Sequence, residues 1–372
     1  MTATDFLSRA AANELFEDHY FMELKPDLRS LNISELKCET EEAGEKGFRA
    51  AQVYEWLHKK NISDLDAMSN VPMAFRDMLR AKYDLYSMVP IKILEDEEDG
   101  TKKFLFKTMD GNAIESVLMR YEHGYSACIS SQVGCKMGCM FCASGIGGKV
   151  RDLTSGEMLE QIYEMQKAAD VRISNIVVMG TGEPFDNFDN FIRFYEMITD
   201  KDGLNISGRN ITVSTCGIVD KIRELADKKY ALTLAISLHA PNDDLRKTIM
   251  PSANRYKIKD ILEACDYFFE KTGRRVTFEY SLMSGVNDSL QCAKELSELV
   301  KGKNCHINLI PVNPVKERDF KRSGNDRIAD FKKLLEKNRI NVTIRRGMGK
   351  NIDAACGQLR RSYMNGQADT DK

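Results

Sequence analysis

The chain has 372 residues, 42% hydrophobic and 30% charged, with a formal net charge of −2. This composition excludes disordered, collagen-like and fibrous classes, and at roughly 150 residues per domain the length fits two units or one barrel-sized domain with an appendage. No apolar run approaches the ~20 residues that cross a bilayer, and the first residues alternate charge with apolarity instead of forming a secretory leader, so a cytoplasmic protein with no membrane partner is expected.

Residues 1–26 carry no organising signal and read as an N-terminal extension. From 27 to 92, Leu31, Leu36, Phe48, Val53, Trp56, Leu57, Phe75 and Leu79 recur at three- and four-residue steps broken by Gly44, Gly47 and Pro72, which predicts a small all-helical unit. An acidic, turn-like ILEDEEDG at 93–100 then opens a strand-rich lead-in made of FLFKT, AIESVLMRY and SACISSQ. Beyond residue 150, predicted helices at 155–169, 187–199, 218–227, 257–272, 288–301 and 325–338 alternate with the strands NIVVMG, ITVSTCG, LTLAISLHA, VTFEYSLM, HINLIPV and NVTIRRG. Repeated βα units mean an α/β fold with a parallel sheet. Six of them suit a partial (βα)6 TIM-type barrel over 93–361, with a polar tail at 362–372. Barrel chemistry sits where strands end, and GTGEP, STCG, SLHAPND and PVNP fall there.

Charge is unevenly spread. Residues 1–100 hold 12 Lys/Arg against 21 Asp/Glu, a net of −9, whereas residues 316–361 hold 14 against 6, a net of +8. Such asymmetry points to a polyanion-facing surface.

The ten cysteines of a long chain without a leader are expected to be reduced. GCKMGCMFCASG sets Cys135, Cys139 and Cys142 in the spacing C-x3-C-x2-C inside a glycine-rich loop. Three thiolates can wrap a four-iron cubane and leave one iron open to an external chelating ligand, in contrast to four-cysteine ferredoxins. Zinc competes, but a structural zinc site usually takes a fourth Cys or His at short range, and none follows Cys142 nearby.

This spacing is the signature of radical S-adenosylmethionine (SAM) enzymes, a superfamily that the chain resembles. The resemblance implies a [4Fe-4S] cluster, SAM bound at the open iron, and a 5′-deoxyadenosyl radical formed by reductive cleavage. Gly182 and Glu183, after NIVVMG, resemble the superfamily's GE motif, whose carboxylate and carbonyls can accept from the SAM ammonium group. Read together, CISSQVGCKMGCMFC, GTGEPFDN, ITVSTCGIV, ISLHAPND, GVNDS, NLIPVNP and IDAACGQLR resemble the RlmN/Cfr family of RNA adenine methyltransferases. Pro184, Val133 and Ala240 are similar to its RlmN-type branch.

That resemblance implies methylation of adenosine C2 in 23S rRNA and tRNA, with two SAM molecules per turnover. An electron donor such as flavodoxin or ferredoxin and a monomeric protein are expected. C2 of adenine is an electrophilic amidine carbon, so it cannot attack a methyl sulfonium itself. In the family a protein cysteine is methylated first, hydrogen is then abstracted from that methyl, and the resulting thiomethylene radical adds to the ring. A covalent protein-RNA adduct follows, released when a second cysteine forms a disulfide with the first.

By motif, Cys356 in IDAACGQLR corresponds to the methyl carrier, Cys128 in ACISSQVGC to the resolving thiol and Glu115 in AIESVLM to a proton-relay carboxylate. SAM contacts transfer onto Ser214, Ser237, Leu238, His239 and Asn313, although His239 is equally readable as a core histidine. Cys38, Cys216, Cys265, Cys292 and Cys305 read as packing residues. Thr181, Asp152 and Gly145 depart from common family residues without touching the cluster, carrier or resolving cysteine. Phosphates are expected beside Lys316, Arg318, Lys321, Arg322, Arg345, Arg346, Lys350, Arg360 and Arg361, and on the helical unit beside Arg49, Lys59 and Lys60. Two alternatives stay open, namely C8 methylation of the Cfr type and a noncatalytic zinc or iron-sulfur RNA-binding protein.

Overall fold

The computed structural model describes residues 24–122, 124–315, 317–349, 352, 359, 360 and 363. Cys356, residues 1–23 of the expected extension and the tail from 364 lie outside the described residues. Asn32 starts the first helix with a capping box, its side chain accepting from the Ser34 and Glu35 N–H groups while Glu35 accepts from the Asn32 N–H. Three helices follow, α1 (Ile33–Glu42), α2 (Phe48–His58) and α3 (Met73–Lys82), burying Leu36, Val53, Leu57, Phe75 and Leu79. These side chains belong to the same continuous hydrophobic core as the barrel.

The strand-rich lead-in is an antiparallel meander of β1 (Val89–Glu95), β2 (Lys102–Lys107), β3 (Ala113–Tyr121) and β4 (Gly124–Cys128). A small hairpin of β5 (Gln132–Gly134) and β6 (Lys149–Asp152) interrupts the chain before α4 (Ser155–Ala169). Then come β7 (Ile173–Val178), α5 (Phe188–Thr199), β8 (Ile211–Thr215), α6 (Val219–Lys228), β9 (Thr233–Ser237), α7 (Asp243–Ile249), α8 (Ile258–Thr272), β10 (Val276–Leu282), α9 (Leu290–Leu299), β11 (Cys305–Pro311), α10 (Asn325–Lys337) and β12 (Val342–Ile344). One sheet runs in the order β1-β2-β3-β4-β7-β8-β9-β10-β11-β12, parallel from β4 onward. Six βα units start at β4, β7, β8, β9, β10 and β11, and the sheet stays open with β1 and β12 as its edges. The meander begins at Val89, ahead of the acidic stretch, and β12 is shorter than NVTIRRG implied, pairing with β11 only over Val342–Ile344.

Strand register makes the sheet two-faced. Residues alternate between faces, and one face reads Ile114, Leu118, Ala127, Ile176, Val178, Val213, Leu234, Ile236, Phe278, Tyr280 and Leu309, all within the main core. The other is polar. Val117 pairs with Cys128 and Cys128 with Val177, while Ser237, Glu279, Asn308 and Thr343 form one row across four strands. A polar face on the inside of a partial barrel has no packing role that apolar residues would not fill better, so it marks where a ligand can sit.

The helical unit joins the barrel through buried polar groups. Arg29 pairs with Glu160 of α4 at 3.0 Å and donates to the Leu57 and Ile62 carbonyls, and His58 Nδ1 lies 2.9 Å from the Tyr163 hydroxyl. Asp27 accepts from Ser30 and from Thr154, the N-cap of α4. Burial pushes the Asp27 carboxyl up to about 6 and that of Glu160 up to about 7. From the unfolded values near pH 4 up to about 7, the folded chain therefore holds protons that the unfolded chain has released, so these groups make stability fall as pH rises. Glu160→Gln should flatten that fall, read as melting temperature against pH between 4.5 and 8; an unchanged slope would remove Glu160 from it.

Candidate active site

Cys135, Cys139 and Cys142 lie in the loop between β5 and β6. Gly134 brings its two sides together: at φ +80° it lies so close that a Cβ would stand 2.1 Å from the Gly148 carbonyl oxygen, which itself accepts from the Cys135 N–H at 3.0 Å. The Cys142 N–H donates to the Cys139 carbonyl at 3.1 Å, folding the last two cysteines back together. Burial pushes the Cys135 thiol up to about 12 and raises that of Cys139 further, and each is raised again by the neighbouring cysteines. Two of the thiols are thus desolvated, and half-buried Cys142 stands near enough to act on both. Among the described residues, no three His, Cys, Asp or Glu side chains converge as they would on a single metal ion. The sulfurs of a cubane bind three different irons and stand wider apart than ligands of one zinc.

The GTGE loop packs against the chain just before this hairpin. A Cβ on Gly182, at φ +116°, would meet the Ser131 hydroxyl at 2.6 Å and the Gln132 nitrogen at 2.8 Å, so the glycine is required by the close approach. Ser131 and Gln132 N–H groups both donate to the Thr181 carbonyl, at 2.9 and 3.2 Å. Glu183 is buried and its carboxylate accepts from the Phe185 N–H at 3.0 Å and the Cys216 N–H at 2.7 Å, tying this loop to the STCG end of β8. Burial pushes its carboxyl up, and these bonds work against that. The hydroxyls of Thr181 and Ser144 are buried without a hydrogen-bond partner among the described residues, which leaves them available to a bound group.

On the inner face, Ser214 and Ser237 hydroxyls stand 3.3 Å apart, and Asn308 donates to Glu279 at 2.9 Å. Leu238 is fully buried. His239 is buried at φ +59°, its Nδ1 accepts from the Ser281 N–H at 3.0 Å, and its ring meets Phe141 of the cysteine loop edge-on at 4.9 Å. Burial, with Arg246 nearby, lowers its pKa to about 3, so the imidazole is neutral at physiological pH. Asn313 is exposed just beyond β11.

Cys128, Glu115 and Lys103 share the inner face at the meander side. Cys128 is buried and packed with Val117, Met119, Val177 and Met348. Glu115 is paired with the fully buried Lys103 at 3.0 Å, and its other oxygen accepts from the Arg360 N–H at 2.5 Å. The chain beyond β12 crosses to this side, since the Gly349 N–H donates to Asp99 in the β1–β2 turn at 2.8 Å.

Residues 26–85 match the family model for the ribosomal RNA large subunit methyltransferase N-terminal domain, and residues 129–297 match that of the radical SAM superfamily. A relative from Lachnoclostridium phytofermentans, named probable dual-specificity RNA methyltransferase RlmN, is 59% identical across 91% of this chain and 95% of its own length. The chain belongs to the RlmN family of radical SAM methyltransferases. A Clostridium novyi RlmN relative, with the same printed name, is 51% identical over 91% of this chain and 98% of its own. The crystal structure of a radical SAM methyltransferase from Sphaerobacter thermophilus superposes with a TM-score of 0.84 at 41% identity, covering 90% of this chain and 98% of that one.

Membership of the RlmN family implies a [4Fe-4S] cluster and SAM, and the residues present fit both: three thiols in one loop, two of them desolvated, and beside them two buried hydroxyls and a polar strand-end row. Among the described residues, no helix is long and apolar enough to cross a membrane. Three residues in this region escape sequence reading. Lys103 looks solvated in KKFLFK, and only the register shows it inside. Gln132 bridges Asp152, Asp186 and the Glu183 N–H. Asn287, in the GVNDS motif, donates to the His239 and Ser281 carbonyls and accepts from the Met283 N–H, holding the loop that carries His239.

Proposed function

We propose that the chain methylates C2 of adenosine in 23S rRNA and tRNA, with Cys356 as methyl carrier, Cys128 as resolving thiol and Glu115 as the carboxylate of the proton relay. Cys135, Cys139 and Cys142 hold the cluster. Gly182, Glu183, Ser214, Ser237, Leu238, His239 and Asn313 line the SAM site, the serine hydroxyls and the GTGE carbonyls bonding its polar groups. When bound, these cofactors supply methyl groups and, at the expense of a second SAM molecule, a carbon radical able to take hydrogen from an S-methyl group.

The observation that carries this reading is the convergence at the inner face. Cys128 and Glu115 sit on adjacent strands of that face, and Gly349 and Arg360 bring the chain beyond β12 to the same side, the first bonded to Asp99 and the second to Glu115. Residues 27–92 act as an accessory RNA-binding unit beside the catalytic barrel of 93–361. RNA contact is supported at the open barrel edge by exposed Lys321, Arg322, Arg345 and Arg346 and half-buried Arg318 and Arg360; Lys316, Lys350 and Arg361 lie outside the described residues. On the helical unit, Lys59 is exposed, the Arg49 guanidinium lies over Phe48 at 4.8 Å and the Lys60 ammonium over Trp56 at 3.4 Å, pairings that suit phosphates and bases together. The target adenine leaves its stack to reach the carrier. A flavodoxin- or ferredoxin-type electron donor and a monomeric state complete the proposal.

Mass spectrometry of RNA digests tests it. A strain lacking the gene should lose 2-methyladenosine from 23S rRNA and tRNA and regain it on complementation. Persistence of the mark with no second gene copy would sink the proposal, and loss of 8-methyladenosine instead would establish the C8 alternative. A protein that, reconstituted anaerobically under strong reductant, leaves SAM uncleaved would be a noncatalytic RNA binder.

A further inference from the structure

Arg246, on α7, is fully buried. Its donors all end on main-chain carbonyls: Nε on Leu238 at 3.1 Å, Nη1 on Tyr256 at 3.2 Å, and Nη2 on Cys216 at 2.6 Å and Ser237 at 3.2 Å. Among the described residues no carboxylate lies within ion-pair distance of it; Asp243 on the same helix, which accepts from the Ile258 N–H, acts on it only through space. Carbonyl bonds satisfy the donors but do not neutralise the charge, which Asp243 offsets only from a distance, a costly state for a buried cation.

The place of this charge identifies its partner. α7 ends on the cysteine loop, where the Met140 N–H donates to the Ile249 carbonyl at 2.9 Å. Cys216, whose carbonyl Arg246 holds, packs in one cluster with Ile249, Met250 and Cys139. A four-iron cubane on three thiolates carries a net charge of about −1 when oxidised and about −2 when reduced. We propose that Arg246 is the buried counter-charge of the three-cysteine iron-sulfur site, a positioning residue that favours the reduced cluster while holding the ends of β8 and β9 beside it. The inference rests on reading Cys135, Cys139 and Cys142 as cluster ligands. Each added electron raises the negative charge facing the guanidinium, so removing the cation disfavours reduction. At an effective dielectric of about 20, a unit charge within ~10 Å is worth about tenfold, which is 59 mV for one electron.

The test compares anaerobically reconstituted full-length wild type, Arg246→Lys and Arg246→Gln by redox titration, following the electron paramagnetic resonance signal of the reduced cluster, with iron and sulfide content and circular dichroism alongside. Poised where the wild type is half reduced, Arg246→Gln should show about tenfold less reduced relative to oxidised cluster, and Arg246→Lys should stay within about threefold of wild type. A folded Gln variant that fails to keep a cluster where the Lys variant keeps it also supports the role, since the charge then holds the anion. An unshifted Gln variant, equal shifts in both, or loss of fold in both would overturn it. Wild type that takes up no four-iron cluster would instead refute the cysteine reading, and the two failures are told apart by that control.

Discussion

Cys128→Ala should accumulate a covalent protein-RNA adduct and lower product formation at least about 10³-fold, the scale on which loss of a covalent-catalysis group is felt. Cys356→Ala should form neither adduct nor product. In the proposed resolution, Cys128 takes the C2 proton and passes it to Glu115, the ring radical gives up its odd electron to the oxidised electron-transfer partner, and the Cys128 thiolate attacks the Cys356 sulfur. An S–S bond forms as the S–CH₂ bond breaks, and the electron pair goes to the methylene carbon, which takes up a proton and becomes the methyl group. The two thiols are left as a disulfide, which an external dithiol must reduce before another turnover. Without Cys128 the carrier still reaches the adduct, and nothing cleaves it. Denaturing gels of reactions with labelled RNA read the outcome. A Cys128→Ala protein that turns over normally, or is recovered free of RNA after reaction, would refute the role. Its buried place among Val117, Met119, Val177 and Met348 makes a fold control necessary, and alanine there should cost only about 1 kcal/mol.

The sequence made the catalytic barrel legible because its helices and strands have opposite periodicities. Helix α4 spans 155–169 as the spacing predicts, since a capping box of Thr154 and Glu157 opens it and Asp170 in the left-handed region closes it. The helical unit was equally legible from the steps among Leu36, Val53, Leu57, Phe75 and Leu79. The hairpin of β5 and β6 was not, because QVG and KVRD are too short for a strand pattern, and their pairing depends on Gly134 meeting Gly148 across fourteen residues. Nor was α7: PNDDLRKTI holds too few apolar residues to show a face, and what buries it is Arg246 reaching carbonyls of three separate loops.

The same split holds at the site. The cysteine spacing carried the cluster reading because its chemistry is local, and the GTGE and STCG runs stood out because both end strands. What joins them is long-range. Glu183 reaches Cys216, thirty-three residues away, and no local pattern announces that contact. Glu115 looked like one carboxylate on a strand. The register that puts it on the inner face with Cys128 and within reach of Lys103 is a property of three strands together.

Lys103→Met should cost roughly 3–5 kcal/mol of stability, because it leaves a buried carboxylate without the cation that now stands 3.0 Å from it. Glu115→Gln should destabilise comparably by leaving the Lys103 charge buried, although Gln keeps an oxygen for the Arg360 N–H. The double variant should regain most of that stability, since neither charge then remains to be solvated. Activity should behave otherwise. Glu115→Gln should lower product formation by about 10²–10⁴, the range for a positioned proton-transfer group. Adding Lys103→Met should restore the fold without restoring the rate. Chemical denaturation of the three variants gives the coupling energy, and adduct and product yields under single turnover give the rates. A coupling below about 0.5 kcal/mol would mean that the two charges act independently. A Glu115→Gln protein that resolves the adduct at the wild-type rate would remove Glu115 from the proton relay and leave the pair a purely structural tie between β2 and β3. Stability that recovers while turnover does not is the signature expected of an ion pair kept for chemistry, since an apolar pair of similar volume at the same place would hold the strands equally well.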